Sequence, residues 1–553
     1  LFPLFQQCAF PLPLPDGRGA DTGFAAFRET AKLHSPTDGK SRTGTSQDAL
    51  APFRLLALGD PQLEGDTSIP NAHGKSFPHL SSLLSHLSFQ STHPSLRQRI
   101  RQSLHDTIDI YFEDIPNTIE SIRKRIDLFG NDFYLAHIYR TVRWWTQPTH
   151  VSVLGDLVGS QWLDDEEFER RSKRYWTRVF RQGERVPDEI SRLPAEDYDL
   201  AGILGDSGDT ETREAWTRRV INVAGNHDIG YAGDINDERF QRFEAAFGKA
   251  NYELRFELPL SNATLNATVY DELTNRDSER LVPEIRVVVL NDMNLDTPAL
   301  STEIQDATYN FINSVINTAS AVEFKGHFTV VLTHVPLYKP EGVCVDAPFF
   351  DFHEHDGTLK EQNLLSADAS RGFLEGIYGM NGDANAPGNG RGRHGVILNG
   401  HDHEGCDTWH FINQSLGPQD RTWEVRRWQQ AKDSGIVGAA GLPGIREITV
   451  RSMMGDFGGN AGLLSAWFDE EVWEWRFEYA TCPLGTQHLW WAVHILDLTT
   501  VAIIVATAAL AVVSAFGLDA GKAAVGHAER AVAVHGDKPA NGTAKKSEVL
   551  KVP

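Results

Sequence analysis

Four short polar clusters interrupt the apolar runs of this 553-residue chain: Gly59-Asp60-Pro61-Gln62, Gly155-Asp156, Gly225-Asn226-His227-Asp228 and Gly400-His401-Asp402-His403. A fifth, Thr333-His334, follows the apolar run Phe328 to Leu332. Each ends a β-like stretch, and side chains at the ends of separate strands converge on one crevice. The fold must therefore gather carboxylate, amide and imidazole groups in one place. Those donors suit Mn, Zn or Fe, and no thiolate cluster argues for a soft structural site.

Asp60, Asp156, Asn226, His334, His401 and His403 supply the ligand types for two divalent ions. Asp156 is the natural bridge, because its two carboxylate oxygens can serve different ions. Such a pair, about 3.5–4 Å apart, neutralises phosphate oxygens, activates an oxygen nucleophile and stabilises a leaving alkoxide. His227 follows Asn226 directly and can point at substrate while its neighbour binds metal, which places it to protonate the leaving oxygen. Asp228 orients that imidazole or braces the loop. The charge balance, 52 basic against 75 acidic residues and a formal −23, weakens a nucleic-acid partner but leaves room for a local phosphate site.

Phe53–Leu58, Val151–Leu154, Val220–Ala224, Tyr252–Leu258, Ile285–Leu290, Phe328–Leu332, Val396–Leu398, Ile445–Val450 and Val472–Tyr479 read as strands. Helical patterns cover 164–180, 236–247 and 308–321. Another covers about 95–146, where Ile108, Phe112, Ile115, Ile119 and Ile122 recur at three- to four-residue spacing and suit a helix that covers a sheet. This is an α/β (α+β) pattern, met by a two-sheet β-sandwich flanked by helices; a single open sheet also satisfies it. Residues 1–50 read as an apolar and then low-complexity, loosely attached lead-in, with Leu1–Leu14 the remnant of a signal or anchor, and 51–480 as the main domain. Leu498–Phe516 carries no charge over nineteen residues and forms the core of a membrane-associated segment at 489–516. Acidic residues precede that segment and Lys522 and Arg530 follow, which favours a cytoplasmic tail at 517–553 and a lumenal main domain. The sequons at Asn262, Asn266 and Asn413 agree with that orientation, and Asn541 is expected to stay unused. Four scattered cysteines make no disulfide scaffold; Cys344 and Cys406 are either a pair or two unrelated thiols.

The order GD…GD…GNHD…TH…GHDH over Phe53 to Val450 resembles the calcineurin-like metallophosphoesterase superfamily, which implies a β-sandwich flanked by helices. By that resemblance Asp60, Gln62, Asp156 and His403 match one metal site, and Asp156, Asn226, His334 and His401 the other, with His227 in the catalytic position. Gln62 departs from the pattern, since most members carry His there, and a neutral oxygen donor implies altered affinity or metal preference. Gly155-Asp156-Leu157-Val158-Gly159 also lacks the acidic or amide residue common near its end. A narrower likeness lies in Gly59-Asp60-Pro61-Gln62-Leu63, Gly130-Asn131-Asp132-Phe133-Tyr134, the run Gly225 to Gly230 and His334-Val335-Pro336-Leu337-Tyr338. With the C-terminal segment, these resemble the fungal GPI-glycan ethanolamine-phosphate phosphoesterases. That group implies removal of an ethanolamine phosphate branch from a mannose of the GPI anchor, with manganese as cofactor and zinc or iron as alternatives. It further implies the endoplasmic reticulum membrane with cycling to the Golgi, and GPI glycolipid or GPI-anchored proteins and the bilayer as partners. The competing expectations are a phosphomonoesterase or nucleotide phosphodiesterase, and a catalytically inactive membrane trafficking or cargo protein.

Overall fold

The computed structural model describes residues 7–13, 22–34, 50–70, 74, 76–88, 90, 95–191, 200–205, 208–260, 269–271, 276–278, 282–417 and 419–515. Two mixed sheets form the centre. The six-stranded sheet runs in the order Glu474–Pro483, Asn460–Asp469, Phe53–Leu58, His150–Val153, Arg219–Asn222, Glu184–Arg185. The eight-stranded sheet runs Trp423–Arg427, Cys406–Ile412, Gly444–Thr449, His394–Asn399, His327–Leu332, Glu284–Val289, Tyr252–Glu257, Gly202–Ile203. Phe53, Leu55, Ala57, Ile221 and Val223 of the first meet Leu254, Phe256, Val287, Val330 and Val396 of the second in one buried core. Leu56 and Leu58, on the other face of their strand, are equally buried. That double burial is why these strands read as apolar runs rather than as alternations. The two-sheet reading holds, and the single open sheet does not.

The middle strands of each sheet are parallel: Phe53–Leu58 with His150–Val153 and Arg219–Asn222, and Glu284–Val289 with His327–Leu332, His394–Asn399 and Gly444–Thr449. Leu58 pairs with Val153, and Leu332 with both Leu398 and Val289. All five polar clusters therefore leave their strands at the same end of the sandwich and at nearly the same level.

Two expectations change. The helical stretch runs Leu96–Asp109, a π-helical turn Ile110–Asp114, then Ile115–Thr146, capped by Ser95, whose side chain accepts from Gln98 N. Tyr134, Leu135, Ile138, Tyr139 and Val142 are buried, but Ile108, Phe112, Ile115, Ile119 and Ile122 are exposed, Phe112 by 70%. Their periodicity reports a two-sided helix correctly, and the apolar side does not cover a sheet. The described parts of the lead-in, 7–13 and 22–34, are also more firmly held than its composition implies. Cys8 is disulfide-bonded to Cys482, Phe10 is buried, and the Thr22–Lys32 helix sets Phe27 against Trp145 with ring centroids 5.6 Å apart. The chain forms a compact unit over Leu1–Gln487, which contains 51–480. Cys344 and Cys406 are joined, so the paired alternative is the one realised.

The helix Gln487–Ala515 belongs mostly to a second unit, His488–Pro553, and is long and apolar enough to cross a membrane. Phe516, the tail 517–553 with Asn541, and the sequon residues Asn262 and Asn266 lie outside the described residues. Asn413 is partly buried in a turn, where its Oδ1 accepts from Ser415 N and Oγ.

Candidate metal centre

Where each strand stops, the backbone turns sharply to aim a ligand-type side chain inward. Asp60, Gln62, Asp156 and His401 all have positive φ, at 47°, 39°, 52° and 70°. Non-glycine residues hold that conformation only where the surroundings impose it. Neighbouring turns are tied directly: Gln62 N donates to Asp156 O at 2.8 Å and Gly400 N to His334 O at 3.2 Å. The glycines are a matter of room as well as φ. A Cβ on Gly155 would overlap the His334 ring, and one on Gly225 would overlap Asp156.

Two sets of three donors result, one of Asp60, Asp156 and His403, the other of Asp156, His334 and His401, each set lying within 4.8 Å. Asp156 belongs to both, as a bridging carboxylate must. The Gln62 Nε2 donates to Asp156 Oδ2 at 3.0 Å and lies 3.1 Å from His403 Nε2, so its amide ends inside the first set. A half-turn of that amide would present Oε1 there instead. Asn226 Oδ1 lies 2.9 Å from His334 Nε2, which joins it to the second set. The ring nitrogens are oriented from behind. His334 Nδ1 donates to Leu154 O at 2.8 Å, leaving Nε2 facing the site, and His401 Nε2 donates to Gln362 O at 3.0 Å, leaving Nδ1. Asp60 Oδ2 is buried with no hydrogen-bond partner. An orphaned carboxylate oxygen beside two imidazoles and a second carboxylate fits a divalent cation.

The electrostatics agree. Burial pushes the Asp60 carboxyl up, against the pull of His334. Burial opposes ionisation of Asp156 too, but His334 and His227 outweigh it and hold that carboxyl below the usual range. His334 overcomes its own burial because it faces Asp156 and Asp60, and is raised to about 10. Desolvation lowers His401 to about 3, and also lowers His403, so both stay neutral donors. The carboxylates require positive charge at their centre. His334 supplies it as a proton, and a divalent ion would supply it in the proton's place.

His227 stands at the rim, with its Nε2 3.8 Å from Asp156 Oδ2, its side chain one-third exposed and its amide N donating to Asp156 Oδ1 at 2.9 Å. Asp228 points away from the site. Its two oxygens accept from Val158 N and Gly225 N, each at 2.9 Å, and it is fully buried. Of its two expected roles the geometry gives it the bracing one, a positioning residue with no contact to reacting atoms.

Two supporting groups have no counterpart in the sequence reading. Asp292 accepts from His334 N and Val335 N at 3.3 and 3.2 Å, and burial raises it to about 7. Its signal was present, because Asn291-Asp292 follow the run Ile285–Leu290 as the other clusters follow theirs. Glu447 is buried inside a strand and accepts from Leu337 N, Asn399 Nδ2, His410 Nε2 and Lys339 Nζ at 2.6 to 2.8 Å. It thereby joins the chain after His334 to the chain before His401, and no local pattern announces it.

No protein-family model matches the chain. It is 33% identical over 418 residues to protein TED1 of Saccharomyces cerevisiae, covering 68% of this chain and 77% of that one. An uncharacterized protein of Schizosaccharomyces pombe is 28% identical over 383 residues, covering 67% of this chain and 78% of its own. Metallophosphoesterase 1 of Danio rerio is 19% identical over 288 residues, 52% of this chain and 60% of its own. With that likeness over most of both chains, the chain belongs to the same family as yeast protein TED1 and to the wider metallophosphoesterase superfamily.

Proposed function

We propose that the chain is a membrane-anchored phosphodiesterase with two divalent ions, manganese in the first instance, that removes an ethanolamine phosphate branch from a mannose of the GPI glycan. The observation that carries the chemistry is the pair of donor sets sharing Asp156, with His227 at their rim. The substrate rests on the narrower motif resemblance and on the anchor-like helix Gln487–Ala515. Two disulfides suit an oxidising lumen, which supports a domain facing the lumen of the endoplasmic reticulum, the side on which a GPI glycolipid or GPI-anchored protein presents its glycan.

Asp60, Gln62, Asp156 and His403 would hold one ion and Asp156, Asn226, His334 and His401 the other. Bound there, the ions would neutralise phosphoryl oxygens and lower the pKa of a water. His227 is the described imidazole at the rim that is free to meet a substrate oxygen, and protonates the departing mannose oxygen. Asp228 and the Gly225 turn keep it in place.

The test is turnover of defined GPI glycans carrying ethanolamine phosphate on different mannoses, read by mass spectrometry with and without Mn2+. Metal-dependent loss from one position is expected, and Asp156→Asn should lose bound metal and turnover together. Turnover of nucleotides or monoesters in place of the glycan would refute the substrate. Bound metal without turnover of any ester would refute the enzyme.

A further inference from the structure

The helical hairpin at 78–146 is built inside out for a protein surrounded by water. The Pro78–Leu87 helix lies against Leu96–Asp109 and the turn Ile110–Asp114, and the groups that meet between them are polar. His86 Nε2 stands 3.4 Å from Asp106 Oδ2, His79 Nε2 3.1 Å from Glu113 Oε2, and Leu80 N donates to Asp114 Oδ2 at 3.0 Å. Asp106 and Asp114 are only 1% and 2% exposed. The apolar side chains face outward. Leu96, Ile100, Leu104 and Ile108, four residues apart, form one line in which each is more than half exposed. Ile119, Ile122, Ile126 and Phe129 follow at three- and four-residue spacing and are likewise more than half exposed, as are Leu84 and Leu87 of the first helix. A soluble monomer leaves about 300–600 Å² in its largest apolar patch. So many large side chains in one stripe call for a covering surface.

We propose that this face lies in the interfacial layer of a membrane as an in-plane hairpin, a second attachment beside the C-terminal helix. The proposal rests on reading Gln487–Ala515 as a membrane anchor. From Leu96 to Phe129 the helix rises roughly 50 Å, well beyond a hydrocarbon core of about 30 Å, so it lies along a bilayer rather than across one. The helix that carries the stripe is also tied, through Tyr134 on its buried side, close to where the apolar helix begins. Tyr134, just beyond Phe129, donates its hydroxyl proton to Gly485 O at 2.6 Å, two residues before the apolar helix begins. Arg97 and Arg101 are exposed and share the stripe's face by their spacing to Ile100, Leu104 and Ile108. Cations flanking an apolar face suit lipid phosphates, with the side-chain stems lying among the acyl chains. Held there, the hairpin would fix the tilt of the domain, and so the height of the metal centre above the bilayer.

All four native cysteines are in disulfides, so single labels can be added cleanly. The full chain would carry an environment-sensitive fluorophore at Leu104→Cys, Ile119→Cys or Phe129→Cys, with Asn117→Cys as a control on an exposed polar position and Val505→Cys in the anchor. Each would be reconstituted in phosphatidylcholine–phosphatidylserine liposomes, with and without doxyl-labelled phosphatidylcholine. Quenching is expected at the three stripe positions and at Val505, and none at Asn117. Quenching at Val505 alone would overturn the in-plane arrangement while leaving the anchor standing. Crosslinking between copies at unquenched stripe positions would give the face to a second copy and also overturn it. An unquenched Val505 would sink the anchor reading, and the membrane hairpin with it.

Discussion

Gln62 is the residue at which this centre differs from the pattern it resembles, and its effect turns on donor chemistry rather than on charge. An amide oxygen suits Mn, while an imidazole nitrogen suits Zn. Gln62→His should therefore raise the preference for Zn2+ over Mn2+ by about tenfold or more, as measured by competitive metal titration. An unchanged ratio would mean that the amide takes no part in binding. Glu447 acts at a distance from the two donor sets. Burial works against its charge, but Lys339 and His410 prevail and hold its carboxyl below the usual range. A carboxyl whose folded pKa is depressed stabilises the fold above its unfolded pKa, about 4.3. That contribution is lost as pH falls through the folded value. Glu447→Gln leaves Lys339 buried without its carboxylate, which costs about 3–5 kcal/mol. It should lower the denaturation midpoint at neutral pH, and the gap to the parent protein should narrow below about pH 4, as followed by denaturant titration across pH.

At the scale of elements, the Cys344–Cys406 bond closes the excursion between the two histidine-bearing turns, a sequence separation of 62. Loop-closure entropy alone gives about 4 kcal/mol for a loop of that size. Replacing both cysteines by Ala should therefore destabilise the domain by up to that amount, and should loosen His401 and His403 enough to weaken metal binding. Equilibrium unfolding and metal titration of the double variant would check both effects. A stable variant with weakened metal binding would show that the bond positions the turns rather than supports the fold. The strands that end in ligand clusters were legible for a physical reason. Burial on both faces makes an apolar run, and the polar pair after it marks the end, so Phe53–Leu58 is found to the residue. Asn460–Asp469 is as deeply buried but begins Asn-Ala-Gly and contains Ser, and it gives neither a continuous run nor an alternation. The helix read at 308–321 in fact spans Thr302–Asn317, because Ser301 caps it by accepting from Ile304 N. Periodicity sets a helix's faces, and capping sets where it starts. Neither could say that the stripe from Ile108 to Ile122 would lie uncovered, since an apolar face looks the same in sequence whether its partner is a sheet or something outside the chain.

Across the whole molecule, the metal centre links global stability to pH, and the sign can be worked out. His334 is raised to about 10 in the folded chain, against about 6.5 unfolded. A raised imidazole contributes stability that is complete below the unfolded value and is lost as pH climbs towards the folded one. Asp60, pushed up by burial, acts in the same direction. The folded state keeps a proton that the unfolded chain gives up above about pH 4, so stability again falls as pH rises. A divalent ion would replace the proton on His334 and satisfy Asp60, and its binding would therefore release protons and tighten with pH. The metal-free protein should lose thermal stability steadily from about pH 6.5 upward, while the Mn2+-saturated protein should not. The rise in Tm on adding Mn2+ should accordingly be larger near pH 8 than near pH 6, approaching about 2.7 kcal/mol of stabilisation when free metal is a hundredfold above Kd. Calorimetric titration in two buffers of different ionisation enthalpy would count the protons released. A metal-induced shift that is the same at both pH values, with no proton release, would mean that the ions bind without displacing the His334 proton, and the assignment of His334 to the second donor set would have to be abandoned.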